Sequence, residues 1–125
     1  MDATDQLANL RSAFPSCKVA VFADLSTGMI LCSSTQTLVP QETLDMVCEI
    51  AIDLLVGDTT ALISQTLDNE KVSQAITMNA TDIGIYLRAT QVPADSLCCL
   101  CDPHIDFDQF IIAARSSLEK ISGQH

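Results

Sequence analysis

The chain has 125 residues, of which 48% are hydrophobic and 4% aromatic, with no Trp. This length suits one domain with an aliphatic core, and we expect residues 1–125 to form a single domain. Sixteen acidic and six basic residues give a formal net charge of -10. That charge disfavours nucleic acid and anionic membrane surfaces as partners.

The sequence also predicts the cellular location of the protein. No stretch approaches the roughly 20 uninterrupted apolar residues of a membrane-spanning helix. The N-terminal run 1–5 is acidic where a secretory signal would be basic. We therefore expect a cytoplasmic protein without membrane insertion. In that reducing compartment the cysteines are expected to be free thiols that pack as small core hydrophobes, at Cys17, Cys32, Cys48, Cys98, Cys99 and Cys101.

The hydrophobic pattern predicts the order helix, strand, strand, helix, three strands, helix. Short turns within each strand group imply antiparallel pairing, and strands that are apolar on both faces predict helices on both sides of the sheet. The segment 59–67 could extend the helical layer. The predicted helices cover 4–14, 40–56 and 106–122, and the predicted strands cover 17–24, 29–34, 71–79, 83–90 and 96–101.

The predicted helix 40–56 has an unusually wide apolar arc. An ordinary surface helix shows an apolar stripe of roughly 100° or somewhat more, and this arc is about twice as wide. It runs from Met46 through Ile50 and Leu54 round to Ile52, whereas the helix 106–122 has a one-sided stripe. A second surface is therefore expected to cover the flank: a second copy of the chain, a different subunit, or residues 57–67 folded back.

Acidic residues occupy the remaining sector of the same helix. A charge run at this spacing is usually a solvated helix face, and a docking face for a basic patch is the alternative interpretation. The residues of this possible docking face are Glu42, Asp45, Glu49 and Asp53.

Two segments carry a resemblance to a known family. The strand–turn–strand 19–31, in which a hydrophobic strand ends in Asp24 and a turn containing Gly28, resembles the opening hairpin of the Roadblock (dynein light-chain Roadblock) family. The strand 98–101 with the helix from Asp106 resembles its closing unit. The resemblance covers 4–122. It implies an α+β, profilin/Roadblock-like fold: a five-stranded antiparallel sheet between a central helix on one face and two terminal helices on the other.

The resemblance also implies a function. Family members are small non-enzymatic scaffold or regulatory subunits that typically dimerise; many bind or regulate Ras-like GTPases, and others sit in dynein or signalling complexes. We therefore expect no catalytic residue, cofactor or metal. The stretch 57–69 is longer than the corresponding connection of the family. The dimer contacts implied for this chain lie on the central helix and the strand after it, at Met46, Ile50, Leu54, Val72, Gln74, Ile76 and Met78.

Other hypotheses remain open at this stage. A small-molecule-binding sensor domain is one, because sheets flanked by helices often hold ligands. A thiol or metal site between Cys98 and His104 is another, although strand alternation puts Cys98 on the opposite face from Cys99 and Cys101 and so favours a core role. Cys17 and Cys32 could approach one another across the first hairpin. The glycines stand singly, so no phosphate-binding loop is predicted.

Overall fold

A computed structural model describes residues 2–57 and 73–123. The predicted element order is confirmed, and most bounds differ by one or two residues. The predictions for 59–67 and for Val72 lie outside the described residues. The elements are α1 (Ala3–Ala13), β1 (Cys17–Asp24), β2 (Met29–Thr35), α2 (Gln41–Leu55), β3 (Gln74–Met78), β4 (Ile83–Arg88), β5 (Asp95–Cys101) and α3 (Phe107–Ser122).

The five strands form one antiparallel sheet in the order β2-β1-β5-β4-β3. The first and last strands of the chain are therefore neighbours inside the sheet. The two strands on either side of α2 in the sequence, β2 and β3, become its opposite edges. The predicted antiparallel sheet is confirmed.

The sheet separates two hydrophobic cores, because successive strand residues point to opposite faces. One core lies under α1 and α3, where the rings of Phe14 and Phe110 make an edge-to-face contact with centroids 5.2 Å apart. The other lies under α2 and contains Val21, Val47 and Tyr86. The predicted layer arrangement, with α2 on one face and the terminal helices on the other, is therefore confirmed.

Local residues explain where the helices start. The Asp106 side chain accepts a hydrogen bond from the Gln109 N–H at 3.3 Å, as an N-cap should. Asp2 caps α1 in the same way, through the Asp5 N–H. Pro40 precedes α2, and its fixed φ suits a helix entry. None of the helices in the described part of the chain has the length and hydropathy that a membrane crossing requires.

Candidate interaction surface

The sheet buries the middle of the α2 arc and leaves one flank partly open. Leu44, Val47, Cys48, Ala51 and Leu55 are buried. On the flank, by contrast, the Met46 side chain is 54% exposed, and Ile50 and Leu54 are half-buried. One sheet is therefore not sufficient to cover the arc.

The open flank faces away from the β1–β2 hairpin. Ile52, on the other side of α2, lies over the hairpin turn: its Cδ1 is 3.5 Å from the position a Cβ would take at Gly28. Ile50 and Leu54, on the other flank, pack against the same core as Ile52 and as Ala75 of β3, and α2 also contacts β3 directly. The Met46 flank therefore adjoins the part of the molecule that contains β3.

Among the strands of residues 2–57 and 73–123, β3 is an edge strand, and its outward backbone groups have no strand partner there. The Arg88 N–H donates to the Ser73 carbonyl at 2.9 Å, and the Asn79 N–H donates to the Asp82 carbonyl at 3.0 Å. Antiparallel ladders alternate, so the backbone groups of residues 73, 75, 77 and 79 point to β4. The N–H and C=O groups of Gln74, Ile76 and Met78 consequently point to the open edge.

The side chains of these three residues lie on the face of the terminal helices. Ile76 pairs with Ile85, which belongs to the core under α1 and α3. Ile76 is 40% exposed and Met78 is 74% exposed. The structure therefore separates the predicted contact residues: the helix side chains and the strand side chains lie on opposite faces of the sheet. Of the predicted contact set, only the β3 backbone at the sheet edge borders both faces of the sheet.

The other sheet edge is irregular. Phe22 pairs with Cys32 and Ala23 pairs with Ile30, so Leu31 is left out of the register as a β-bulge. Bulges twist an edge and hinder pairing with another strand. β3, in contrast, pairs with β4 in unbroken register. Of the two edges, β3 is the one suited to accept a further strand.

The acidic residues of α2 form an exposed strip beside the open flank. Glu42, Asp45, Glu49 and Asp53 are all exposed. The Gln41 side-chain amide donates to Asp45 Oδ1 at 3.0 Å, which orients one of them. The strip carries four carboxylates on one helix face, as the spacing predicted.

The cysteines are all free thiols, and five of the six are buried. Strand alternation places Cys98 in the α2 core and Cys99 and Cys101 in the opposite core, as predicted. Burial raises the pKa of Cys98 to about 12. No group of three or more His, Cys, Asp or Glu side chains within residues 2–57 and 73–123 could hold a metal ion. His104 is exposed, and its backbone N–H donates to Asp102 at 2.9 Å.

The structure does not bring Cys17 and Cys32 together across the first hairpin, which the sequence had left open. The β1–β2 register starts at Val19 and Thr35, so Cys17 extends beyond the hairpin. Cys17 instead lies opposite Cys101 of β5, while Cys32 lies opposite Phe22. The sequence suggested a partner on β2 because β1 and β2 form a hairpin. It did not reveal that β5 lies on the other side of β1, because that pairing joins segments far apart in the chain.

Sequence reasoning missed two arginines. Arg88 is buried, with 8% of the residue exposed, and its guanidinium donates to the Leu55 carbonyl at 2.5 Å, which places a cation at the C-terminal end of α2. Arg115 of α3 donates to the carbonyls of Arg88 and, at 3.0 Å, Ser73. Together they tie α2 and α3 to the ends of β3 and β4. The signal that could have revealed Arg88 was a charged residue at a position of β4 that faces α2.

This architecture also occurs in solved structures of other proteins. No protein-family model and no curated protein matches the sequence. Among solved structures, a Roadblock/LC7 domain from Streptomyces avermitilis superposes with a TM-score of 0.81 at 14% identity, covering 99% of this chain and 98% of that one. The chain has the Roadblock/LC7 fold.

Other structures with this Roadblock/LC7 fold are similar over nearly the whole chain. Myxococcus xanthus MglB has a TM-score of 0.77 at 13% identity, covering 98% of this chain and 96% of that one. A structure described as MglB with tetrameric arrangement has a TM-score of 0.76 at 13% identity, covering 97% and 85%. The resemblance predicted from 19–31 and 98–122 is thus confirmed for the fold.

Proposed function

We propose that residues 1–125 act as a single, non-enzymatic Roadblock-like scaffold that forms a homodimer and binds a protein partner. The observation that carries the proposal is the combination of the open β3 edge with the adjoining Met46 flank of α2. An unprotected edge strand is a template for pairing with another chain. A partly exposed apolar helix flank gains free energy when a second surface covers it.

A twofold axis would allow one interface to pair the β3 edge and to cover the Met46 flank. If β3 pairs antiparallel with its copy, the local twofold axis is perpendicular to the sheet, and each copy contributes the same surface. Both α2 helices then lie on one face of a continuous ten-stranded sheet. The Met46 flanks can approach each other there. The chain's likeness in fold to an MglB structure in a tetrameric arrangement supports self-association.

The acidic strip supports a docking role for the α2 face. Side-by-side α2 helices would present two copies of Glu42, Asp45, Glu49 and Asp53 on one surface. Such a surface is complementary to a basic patch and would speed association with a basic partner. The resemblance to Roadblock proteins supports a small Ras-like GTPase or another signalling protein as that partner, and a cytoplasmic location.

The dimer is tested by charge substitution on the flank. We expect Met46→Glu and Ile50→Glu to convert the dimer to a folded monomer, because the interface would have to bury an unpaired carboxylate. Light scattering after size exclusion, over a range of protein concentrations, gives the mass. Ile112→Glu is the matched control, since Ile112 is 64% exposed on α3 and outside the proposed interface.

Three outcomes would contradict the proposal. A wild-type monomer at all concentrations would exclude the homodimer. An unchanged mass for Met46→Glu would place the interface elsewhere, and unfolding of that variant would place the flank in the monomer core. If the dimer forms but binds no member of a panel of Ras-like GTPases in either nucleotide state, the GTPase partner is wrong while self-association stands.

A sensor domain is a second candidate because of one pocket. A space of about 360 Å³ lies at the ends of β3 and β4, lined by Ser73, Arg88, Ala89, Thr90, Pro93 and Arg115. This volume is at the lower end of ligand pockets, and two arginines would favour an anionic small molecule. A thermal-shift screen with small carboxylates and phosphates tests this function. If none of them raises the melting temperature, the sensor function is rejected.

A further inference from the structure

Three buried thiols meet at one end of the sheet, beneath α1 and α3. Cys17 begins β1, and Cys99 and Cys101 end β5. Their exposed fractions are 1%, 0% and 0%, and all three belong to one core. The Cys17 thiol donates to the Val19 carbonyl at 3.5 Å. We refer to these three residues as the thiol cluster.

The strand register makes Cys17 and Cys101 a suitable disulfide pair. They are direct partners between β1 and β5. The Asp102 N–H donates to the Ser16 carbonyl at 2.8 Å just beyond this pair, and the β1–β5 register shifts between Cys17 and Val19. Facing residues in an antiparallel ladder have Cα atoms about 4.5–5.5 Å apart, within the roughly 4.4–6.8 Å found for disulfides.

Cys99 is a poorer partner for Cys17. Cys99 pairs with Ala20, three residues along β1 from Cys17, and is therefore not the register partner of Cys17. The register therefore selects Cys101.

The protons of the cluster are unequally shared. Hydrogen bonds from Cys101 and Cys99 lower the pKa of Cys17, although burial opposes this effect. The same contacts and burial raise the pKa of Cys101 and Cys99. Of the three, Cys17 is therefore the thiol that loses its proton most readily; in the structure it donates to the Val19 carbonyl at 3.5 Å. A cysteine of lowered pKa with a second thiol beside it can form a disulfide once an oxidant reaches it.

We propose that Cys17 and Cys101 form a reversible intramolecular disulfide when hydrogen peroxide reaches the thiol cluster. The oxidant has to be small because the sulfur atoms are buried. The proposal concerns contacts within one chain and does not rest on the dimer.

The reaction balances in two steps. Cys17 loses its proton and its sulfur attacks one peroxide oxygen; an S–O bond forms, the O–O bond breaks, and the leaving hydroxide takes up that proton as water, which leaves the sulfur oxidised to a sulfenic acid. The Cys101 sulfur then attacks the Cys17 sulfur. An S–S bond forms, the S–O bond breaks, and the oxygen leaves as water with the Cys101 proton. Two thiols and one peroxide thus give one disulfide and two waters, and a dithiol reductant restores the thiols.

The bond would join the start of β1 to the end of β5, two neighbouring strands inside the sheet. It would close a long segment of chain and so restrict the unfolded state more than the folded one. We expect the oxidised protein to melt roughly 10 °C above the reduced protein.

The test treats the folded full chain with hydrogen peroxide and maps the products. We expect the mass to fall by two hydrogen atoms, a Cys17–Cys101 linked peptide in the digest, and reversal by dithiothreitol. The Cys17→Ser and Cys101→Ser variants should lose this link. Cys32→Ser is the matched control and should keep it, because Cys32 lies on the neighbouring strand outside the cluster.

The wild-type map decides the question even if a serine variant fails to fold. The proposal is overturned if Cys17 and Cys101 stay reduced while other cysteines are oxidised, or if the link joins different cysteines. It is also overturned if the link connects two chains, which a non-reducing gel would show as a dimer band.

Discussion

The ion pair between Lys18 and Asp82 shows how one surface contact links distant parts of the sheet. Lys18 Nζ donates to Asp82 Oδ1, connecting the start of β1 to the β3–β4 turn. The hydrogen bond from Lys18 lowers the pKa of Asp82. A carboxyl with a lowered folded pKa stabilises the fold at neutral pH, and that contribution is lost as the pH falls through the folded pKa.

We expect Asp82→Asn to reduce the free energy of unfolding by about 0.5 kcal/mol at pH 7, since the pair is partly exposed. At a pH well below the ordinary carboxyl pKa of about 4, the variant and the wild type should be equally stable. Urea denaturation at both pH values measures this. In a Lys18→Met background the substitution should cost nothing further; an undiminished cost there would show that Asp82 acts through another group.

Single residues were predictable where their type decides their environment. Free cysteines are among the most buried residues, and five of the six are buried here. Which thiols meet was not predictable, because the Cys17–Cys101 pairing depends on β1 lying beside β5. Arg88 was missed for a similar reason: its hydrogen bond to Leu55 joins elements 33 positions apart.

Among the elements, β3 provides the sharpest test of the proposed dimer. The Ile76 N–H points to the open edge, so a proline there removes no hydrogen bond to β4, and proline is tolerated in edge strands. We expect Ile76→Pro to dissociate the dimer while the monomer keeps its fold. Sedimentation or light scattering gives the mass, and circular dichroism checks the fold.

The matched control is Ala75→Pro, which removes the N–H that points to β4. We expect it to lower the free energy of unfolding by about 1 kcal/mol or more, because a ladder hydrogen bond is lost. If Ile76→Pro remains a dimer of unchanged affinity, β3 is not part of the interface.

The two long helices show what a helical pattern can and cannot predict. The one-sided stripe of α3 is buried as expected, at Phe110, Ala114, Leu118 and Ile121, and Ile112 is exposed outside it. The wide arc of α2 indicated an excess of apolar surface. The sheet covers the middle of this arc and leaves Met46 exposed. The helical pattern does not predict which further surface covers Met46, because that depends on tertiary and quaternary contacts.

For the whole molecule, net charge opposes the proposed self-association. Each chain carries a formal charge of -10, so two chains repel one another. We expect the dimer dissociation constant to fall roughly two- to fivefold as salt rises from about 20 to about 300 mM, because salt screens this repulsion. Analytical ultracentrifugation over the salt series measures it.

Glu49→Gln is the control for this salt dependence, since it removes one charge beside the flank. Its dimer should be tighter at low salt and less sensitive to added salt. A wild-type dissociation constant that rises with salt would contradict an apolar interface and would indicate ion pairs across it.

The sequence by itself determined the element order, the α+β class and the burial of both sheet faces. These follow from local periodicity and turn residues, which neighbouring positions specify without reference to the rest of the chain. The similarity to Roadblock proteins was visible for the same reason, as a pattern of elements rather than a motif.

Only the tertiary structure decided which residues become neighbours. It made β3 a regular open edge, interrupted the β2 edge at Leu31, placed the Met46 flank and the β3 side chains on opposite faces, and brought Cys17 to Cys101. Strand order and register arise from contacts between segments far apart in the chain, and a one-residue shift in register sends every side chain to the other face.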